Sequence, residues 1–202
     1  ADMEWATDLF EGMVKNNIDL TWNCSTRAER ITPEILRSMK KAGCHTIALG
    51  MESVDPTVLR NIRKNINPTQ IKEAVSLIRK HGMDTILFCV VGFPGETRES
   101  IKNTISFLKN LDTTFITLGI AVPTPGTDFY RYVEDNNYLL TKDWDLHDPM
   151  KKPVFSYPNL SADEIEYYSK YGLRQFYLRP KYIFHRLKSI KDFNEIGRYF
   201  KN

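Results

Sequence analysis

The side chains best suited to chemistry follow short apolar segments of the sequence, at the point where each segment ends. Ser25 and Arg27 follow the first segment and lie two residues apart, so on a strand they share one face. An arginine there can hold a carboxylate through two hydrogen bonds, and pairing with a structural acid explains it equally well. Glu52 and Ser53 follow the second segment. A carboxylate can accept hydrogen bonds from two ribose hydroxyls, whereas Ser53 can simply support the next turn.

The third apolar segment leads into a turn rich in glycine and proline. Gly92 and Gly95 allow a ligand to approach the backbone closely, and Thr97 begins a helix whose N-terminus can attract an anion. A tight turn between a strand and a helix needs the same residues, so this motif leaves both interpretations open. Lys64, at the end of a short predicted helix, suits an anion contact or a solvated position favoured by the helix dipole.

The segments that position these residues read as strands separated by amphipathic helices. Their β-branched and apolar composition predicts strands at Ile18–Cys24, Thr46–Met51, Thr85–Val91 and Phe115–Val122. Strands that are apolar almost throughout indicate burial on both faces, as in a parallel sheet. Because the carboxyl ends of parallel strands meet at one edge, the four polar turns are expected to lie together there.

Composition excludes several classes of protein. The 202 residues are 42% hydrophobic and 26% charged, which is ordinary for a globular chain and unlike a disordered or collagenous one. No apolar run reaches the length of a membrane span, and the acidic residues 1–4 are not followed by the apolar h-region typical of a signal peptide. Three cysteines without a CxxC or CxxxC spacing form no disulfide framework and no self-contained metal site, and they indicate a reducing cytoplasm.

The second half of the chain changes character. We expect residues 1–127 to form the α/β unit, residues 128–160 an irregular connection punctuated by prolines, and residues 161–202 a helical extension. Ser161 and Glu164 form a capping box at the start of that extension, and Pro180 interrupts it. The extension carries nine basic and five acidic residues, the whole basic excess of the chain. Nucleic-acid binding would need a denser patch, so a solvated or docking helix face is favoured.

Taken in order, four motifs resemble the radical S-adenosylmethionine (SAM) superfamily. They look like its third to sixth strands, and they occupy Trp22–Arg27, Ala48–Ser53, Val91–Thr97 and Pro123–Thr127. The subgroup they resemble is the cobalamin-dependent one that includes the anaerobic magnesium-protoporphyrin monomethyl ester cyclase. The resemblance implies a truncated (β/α)6 partial TIM barrel with about four parallel strands, followed by a mostly helical C-terminal tail.

The family resemblance also implies roles for individual positions. Ser25 and Arg27 match a pair that faces SAM, and Glu52, with Ser53 beside it, matches the residue that contacts the SAM ribose. Lys64 aligns with a basic residue that meets the methionyl carboxylate.

Further positions match the adenine and amino-group contacts of the family. The matching backbone and wall of the adenine pocket are Val90, Val91, Gly92, Val122 and Pro123. Asp2 matches the end of an acidic motif that binds the SAM amino group.

The resemblance further implies cofactors that this sequence cannot hold alone. In the family a CxxxCxxC loop gives three thiolates to a [4Fe–4S] cluster, whose electron cleaves SAM to a 5′-deoxyadenosyl radical. No such loop occurs here. We therefore expect an inactive C-terminal fragment of an iron–sulfur oxidoreductase or transferase. Its partners would be the missing N-terminal barrel segment, an upstream cobalamin-binding domain, and a reductant such as ferredoxin or flavodoxin.

Two other functions fit the residues without the resemblance. A phosphate- or flavin-binding (β/α) barrel enzyme would use the turn from Gly92 to Thr97 as its anion site. A non-catalytic scaffold or nucleic-acid module would act through the basic, aromatic tail, with affinity that falls steeply with salt.

Overall fold

A single parallel sheet organises the chain. The computed structural model describes residues 3–189, so Asp2 and the predicted tail beyond residue 189 lie outside the described residues. The strands lie in the sheet in chain order, and they are β1 (Trp22–Thr26), β2 (Cys44–Glu52), β3 (Asp84–Val91) and β4 (Phe115–Ile120). All three neighbouring pairs are parallel, which confirms the predicted fold class.

Helices connect the strands and continue beyond the sheet. Their bounds are α1 (Met3–Lys15), α2 (Pro33–Lys41), α3 (Pro56–Asn61), α4 (Pro68–Lys80), α5 (Arg98–Asn110), α6 (Asp128–Asp135), α7 (Ala162–Tyr177) and α8 (Pro180–Ser189). Side-chain caps fix several of the starts. Thr32 accepts a hydrogen bond from the Ile35 amide before α2, and Ser161 with Glu164 forms the expected capping box before α7.

The first strand begins later than its composition suggested. Ile18 and Leu20 are largely exposed and lie in the link after α1, whereas pairing with β2 starts at Trp22. Asn17 adopts a left-handed backbone conformation there, which ends the helix. The apolar character of Ile18–Cys24 therefore predicted the existence of the strand correctly and its start about four residues too early.

The two faces of the sheet differ. The outer face packs against helices, and its buried side chains include Ile47, Leu49, Leu87 and Leu118. The inner face is covered less completely: Phe88 on β3 exposes 38% of its surface, whereas at β4 the Arg186 guanidinium lies over the Phe115 ring. A partly open apolar sheet face leaves room for a ligand or for further protein.

The helical extension belongs to the outer layer. Helix α7 lies against β4 and α5, and the Ser169 hydroxyl donates to the Leu118 carbonyl at 2.6 Å. Gly172 permits this approach, since a Cβ there would lie 2.3 Å from Leu118 Cδ2. The extension thus completes the helical layer over β4.

The connection from residue 128 to 160 contains more order than its prolines suggest. It begins with α6, continues through turns, and holds one isolated antiparallel bridge between Leu139 and Phe155. The Pro149 carbonyl accepts from the Ile120 amide at 2.9 Å, so this connection covers part of the edge of β4. Across residues 3–189, no helix combines the length and apolar character needed to cross a lipid bilayer.

Candidate functional site

The carboxyl ends of β1 and β2 bring most of the predicted polar site residues together. A cavity of about 420 Å³ opens there, between the strand ends and the segment that follows α3. Its lining includes Ser25, Arg27, Gly50 and Lys64. The sequence placed these residues far apart, and the parallel sheet joins them because each βα unit returns its strand end to one edge.

An ion pair forms the centre of this edge. Lys64 Nζ donates to Glu52 Oε1 at 2.5 Å, with 32% and 18% of the two side chains exposed. Glu52 has φ 62°, a left-handed conformation that is uncommon outside glycine and concentrates at functional sites. The pairing register with β3 also shifts between Gly50 and Glu52, which turns the Glu52 carboxylate toward Lys64.

The segment after α3 carries Lys64 back to the strand. The Lys64 amide donates to the Leu59 carbonyl at 2.9 Å, and Arg63 before it is left-handed, which reverses the chain. Asn61 Nδ2 donates to the Pro94 carbonyl at 2.7 Å, joining this segment to the turn after β3. Each group of the ion pair therefore has its own rigid support.

Ser25 and Arg27 have different surroundings. Ser25 is exposed on the inner face, opposite Ala48. The Arg27 guanidinium pairs with the Glu29 carboxylate, and 68% of the Arg27 side chain stays exposed. An exposed local pair contributes little stability, so its arginine can exchange partners at small cost.

The Ser53 side chain makes its contacts within the protein. It is fully buried, and its hydroxyl accepts from the Asp55 amide at 3.1 Å and lies 3.3 Å from Thr104 Oγ1. Asp55 in turn caps α3. The geometry supports the interpretation of Ser53 as a residue that holds the turn after Glu52.

Glu96 organises the turn after β3, and sequence reasoning gave it no role. Gly92, at φ 94°, donates its amide to Glu96 Oε2 at 2.5 Å, and Tyr157 donates its hydroxyl to the Gly92 carbonyl at 2.9 Å. Burial raises the pKa of Glu96 to about 8, against hydrogen bonds from the Gly92 and Phe93 amides that lower it. The signal that could have found it is a glutamate inside a Gly-Phe-Pro-Gly-Glu turn.

Two amides of the same turn are already occupied. The Gly92 amide donates to the Glu96 carboxyl group, and the Thr97 amide donates to Ser100 Oγ in a capping box. An entering phosphate would have to displace the buried Glu96 carboxyl group to reach the Gly92 amide. This geometry weakens the support for a phosphate-binding barrel that uses this turn.

The predicted adenine-facing positions fall on two strand ends. Val90 is half-buried on the inner face opposite Gly119, while the Val91 side chain is buried among the outer helices. Val122 is half-buried and Pro123 is buried, with the Pro123 carbonyl 3.2 Å from His147 Nδ1. Of these positions, Val90 and Val122 present side chains toward accessible space, and Val91 offers only its backbone.

The three cysteines do not fit a metal cluster. The Cys44 thiol donates to the Thr46 carbonyl at 3.6 Å, and interaction between the neighbouring Cys24 and Cys44 thiols lowers the pKa of Cys24 and raises that of Cys44. Burial raises the pKa of the Cys89 thiol on β3. Within residues 3–189, no three metal-ligating side chains gather in one place. A [4Fe–4S] cluster needs converging thiolates, and these residues do not supply them.

The radical SAM superfamily model matches residues 7–108, about half of the chain. The chain therefore belongs to the radical SAM superfamily, whose members use SAM and a [4Fe–4S] cluster. This confirms the resemblance inferred from the four strand-end motifs.

Three curated proteins are similar to this chain in sequence. An uncharacterized methyltransferase of Pyrococcus horikoshii is 35% identical over 87% of this chain and 38% of its own length. The bacteriochlorophyllide d C-12(1)-methyltransferase of Chlorobaculum tepidum is 28% identical over 70% of the chain and 30% of its own. The anaerobic magnesium-protoporphyrin IX monomethyl ester cyclase of Rubrivivax gelatinosus is 24% identical over 62% and 23%. The chain thus spans less than two-fifths of each relative.

Solved structures share the fold. Coproporphyrinogen III oxidase from Escherichia coli superposes with a TM-score of 0.62 at 16% identity, covering 87% of this chain and 38% of its own. The radical SAM methyltransferase TsrM from Kitasatospora setae, with cobalamin and a [4Fe–4S] cluster bound, gives 0.57 at 20% identity, covering 84% and 34%. At these identities the likeness establishes the architecture.

Proposed function

We propose that the carboxyl edge of this sheet binds SAM within a longer radical SAM enzyme. The observation that carries the proposal is the Glu52–Lys64 pair, with 2.5 Å between Lys64 Nζ and Glu52 Oε1, at the cavity formed by the strand ends. Lys64 keeps two further ammonium donors and Glu52 a second oxygen. The pair can therefore hold a methionyl carboxylate and ribose hydroxyls while it stays intact.

The remaining predicted residues complete this assignment. Ser25 and Arg27 lie on the cavity wall beside Lys64, where Arg27 can leave Glu29 for the SAM carboxylate. Backbone at Gly92 and side chains at Val90 and Val122 would line the adenine, joined by Val91 and Pro123 through their backbone. Ser53 would act indirectly, by holding the turn that carries Glu52. Asp2 keeps its proposed contact with the SAM amino group as a proposal from the sequence.

The iron–sulfur cluster must be held by residues other than those described. We propose that a further barrel segment with a CxxxCxxC loop supplies the thiolates, and that a domain preceding it binds cobalamin. The cluster supplies the electron that cleaves SAM. Residues 1–127 would then contribute the SAM-binding barrel portion, residues 128–160 the connection, and residues 161–202 a C-terminal extension, of which α7 joins the outer helical layer.

The reaction type we propose is methyl transfer or cyclisation on a SAM-derived radical pathway. It rests on relatives named as methyltransferases and as a magnesium-protoporphyrin monomethyl ester cyclase. A low-potential reductant such as ferredoxin or flavodoxin would deliver the electron, in the cytoplasm. The 202-residue chain by itself should be inactive, because its cysteines do not converge.

The test uses the longer protein reconstituted anaerobically with iron and sulfide. Lys64→Ala should weaken SAM binding by about 1.5–3 kcal/mol, since a hydrogen bond to a charged group is lost. Lys109→Ala is the control, because Lys109 lies on α5 and contacts the Gln175 side chain. Equilibrium dialysis with labelled SAM measures both, and equal affinities for the two variants would contradict the assignment.

A second measurement addresses the inactive chain. Reconstitution of the 202-residue chain with iron and sulfide should leave no stoichiometric absorbance of a [4Fe–4S] cluster, because such clusters are held by cysteine thiolates that converge. A cluster held by these three cysteines would overturn the proposal that the ligands come from elsewhere.

A further inference from the structure

Gly50 lies on the inner face of β2, directly before the register shift that turns Glu52. It pairs with Phe88 of β3 and is partly exposed at the cavity wall. Strand interiors disfavour glycine, because it lacks a side chain to pack and gains most freedom on unfolding. A glycine in this place therefore requires a local reason.

Backbone conformation does not supply that reason. Five glycines of the described chain have positive φ, and Gly50 is not among them. Any L-residue can adopt an extended strand conformation, so alanine would be free of backbone strain at this position.

The space around Gly50 supplies the reason. A Cβ built at Gly50 would lie 2.8 Å from Lys64 Nζ and 3.1 Å from Glu52 Oε1. The third contact, at 4.0 Å, is again with Lys64. The three nearest atoms within 4 Å of such a Cβ thus all belong to the two residues of the ion pair.

We infer that Gly50 is a positioning residue whose missing side chain lets the Lys64 ammonium lie against β2 beside Glu52. An alanine methyl group would occupy the place of the ammonium. Because Lys64 ends in a flexible chain, it would swing away at little cost to the fold, and the pair would open. The expected effect on SAM binding rests on the proposed function of the pair, whereas the effect on the ion pair does not.

Gly119 provides a matched control. It lies on the inner face of β4 and also lacks a positive φ, and a Cβ there would contact Pro149 atoms at 3.7 Å, an ordinary van der Waals distance. Gly119→Ala therefore adds the same methyl group to the same face without displacing an ion pair.

The experiment reads the ion pair and SAM binding separately. In the chain with nitrogen-15-labelled lysine, the Lys64 ammonium signal, assigned by its loss in Lys64→Ala, should shift or vanish in Gly50→Ala and stay in Gly119→Ala. In the reconstituted longer protein, Gly50→Ala should weaken SAM binding about 10- to 100-fold, the range for one charged hydrogen bond. Adding Gly50→Ala to Lys64→Ala should not weaken SAM binding any further.

Each result has one meaning. An unchanged Lys64 signal in Gly50→Ala overturns the inference, whatever SAM binding does. A displaced signal supports it; if Gly50→Ala and Lys64→Ala then both bind SAM normally, the proposed function of the pair fails instead. Should Gly50→Ala impair folding, the double variant Gly50→Ala/Lys64→Ala removes the shortest contact, at 2.8 Å, and must restore part of the lost stability. Failure to do so overturns the inference.

Discussion

The buried carboxyl group of Glu96 makes the stability of this chain depend on pH. Only 2% of the residue is exposed, and burial raises its pKa to about 8 from an ordinary value of 4.5. The folded state therefore holds the proton more tightly than the unfolded state does. The stabilisation is fully present below pH 4.5 and is lost as the pH rises to 8 and above, because ionisation then favours unfolding.

The size of this effect follows from the two pKa values. Each pH unit between them corresponds to about 1.4 kcal/mol, so the interval corresponds to at most about 5 kcal/mol. Glu96→Gln removes the titration and keeps an oxygen that can accept from the Gly92 amide. The variant should be no more stable than the original chain at pH 5 and more stable than it at pH 8.5.

Urea unfolding followed by circular dichroism at pH 5 and pH 8.5 measures the free energies. The control is Glu99→Gln on the exposed first turn of α5, which removes a carboxylate three residues away without touching the turn. The reasoning would be refuted if the original chain and Glu96→Gln lost the same free energy between the two pH values, since other groups would then account for the dependence.

Two further predictions concern packing. Gly172→Ala should destabilise the chain by about 1–3 kcal/mol, because its Cβ would lie 2.3 Å from Leu118 Cδ2 in a closely packed layer. Gly12→Ala is the matched helical control; nothing lies within 4 Å of its Cβ, so it should be neutral or stabilise by up to about 1 kcal/mol. Equal melting temperatures for the two variants would contradict the close packing of α7. Tyr157→Phe should cost about 1–3 kcal/mol by leaving the buried Gly92 carbonyl unpaired, and an unchanged urea midpoint would show that water replaces the hydroxyl.

Local sequence patterns were sufficient to predict most of the helices and strands of this fold. Thr32, Thr97 and Ser161 cap the helices that their positions predicted, because a cap needs only the next three residues. The apolar segments became four parallel strands, as their composition predicted, although the helices bury mainly the outer face of the sheet. The start of β1 was misplaced because strand ends depend on the partner strand, which composition does not contain.

The candidate site, too, could be predicted from the sequence only in part. The residue types of the site and its place at the strand ends could be predicted from the sequence, because the βα repeat carries polar turns to one edge. The contacts between individual side chains could not be predicted in this way. Lys64 reaches Glu52 only through the chain reversal at Arg63 and the open space over Gly50. Their distance depends on backbone geometry that residue identities leave open.

The sequence by itself determined the superfamily motifs, the order of strands and helices, and the edge of the sheet at which the polar turns meet. Only the tertiary structure decided that Glu96 is buried beneath the third turn, where Tyr157 arrives from 65 residues away to hold Gly92. It also decided that Ser53 serves the turn beside Glu52 and that the three cysteines do not converge on one point. Burial and non-local hydrogen bonds set these roles, and both arise only when distant segments pack together.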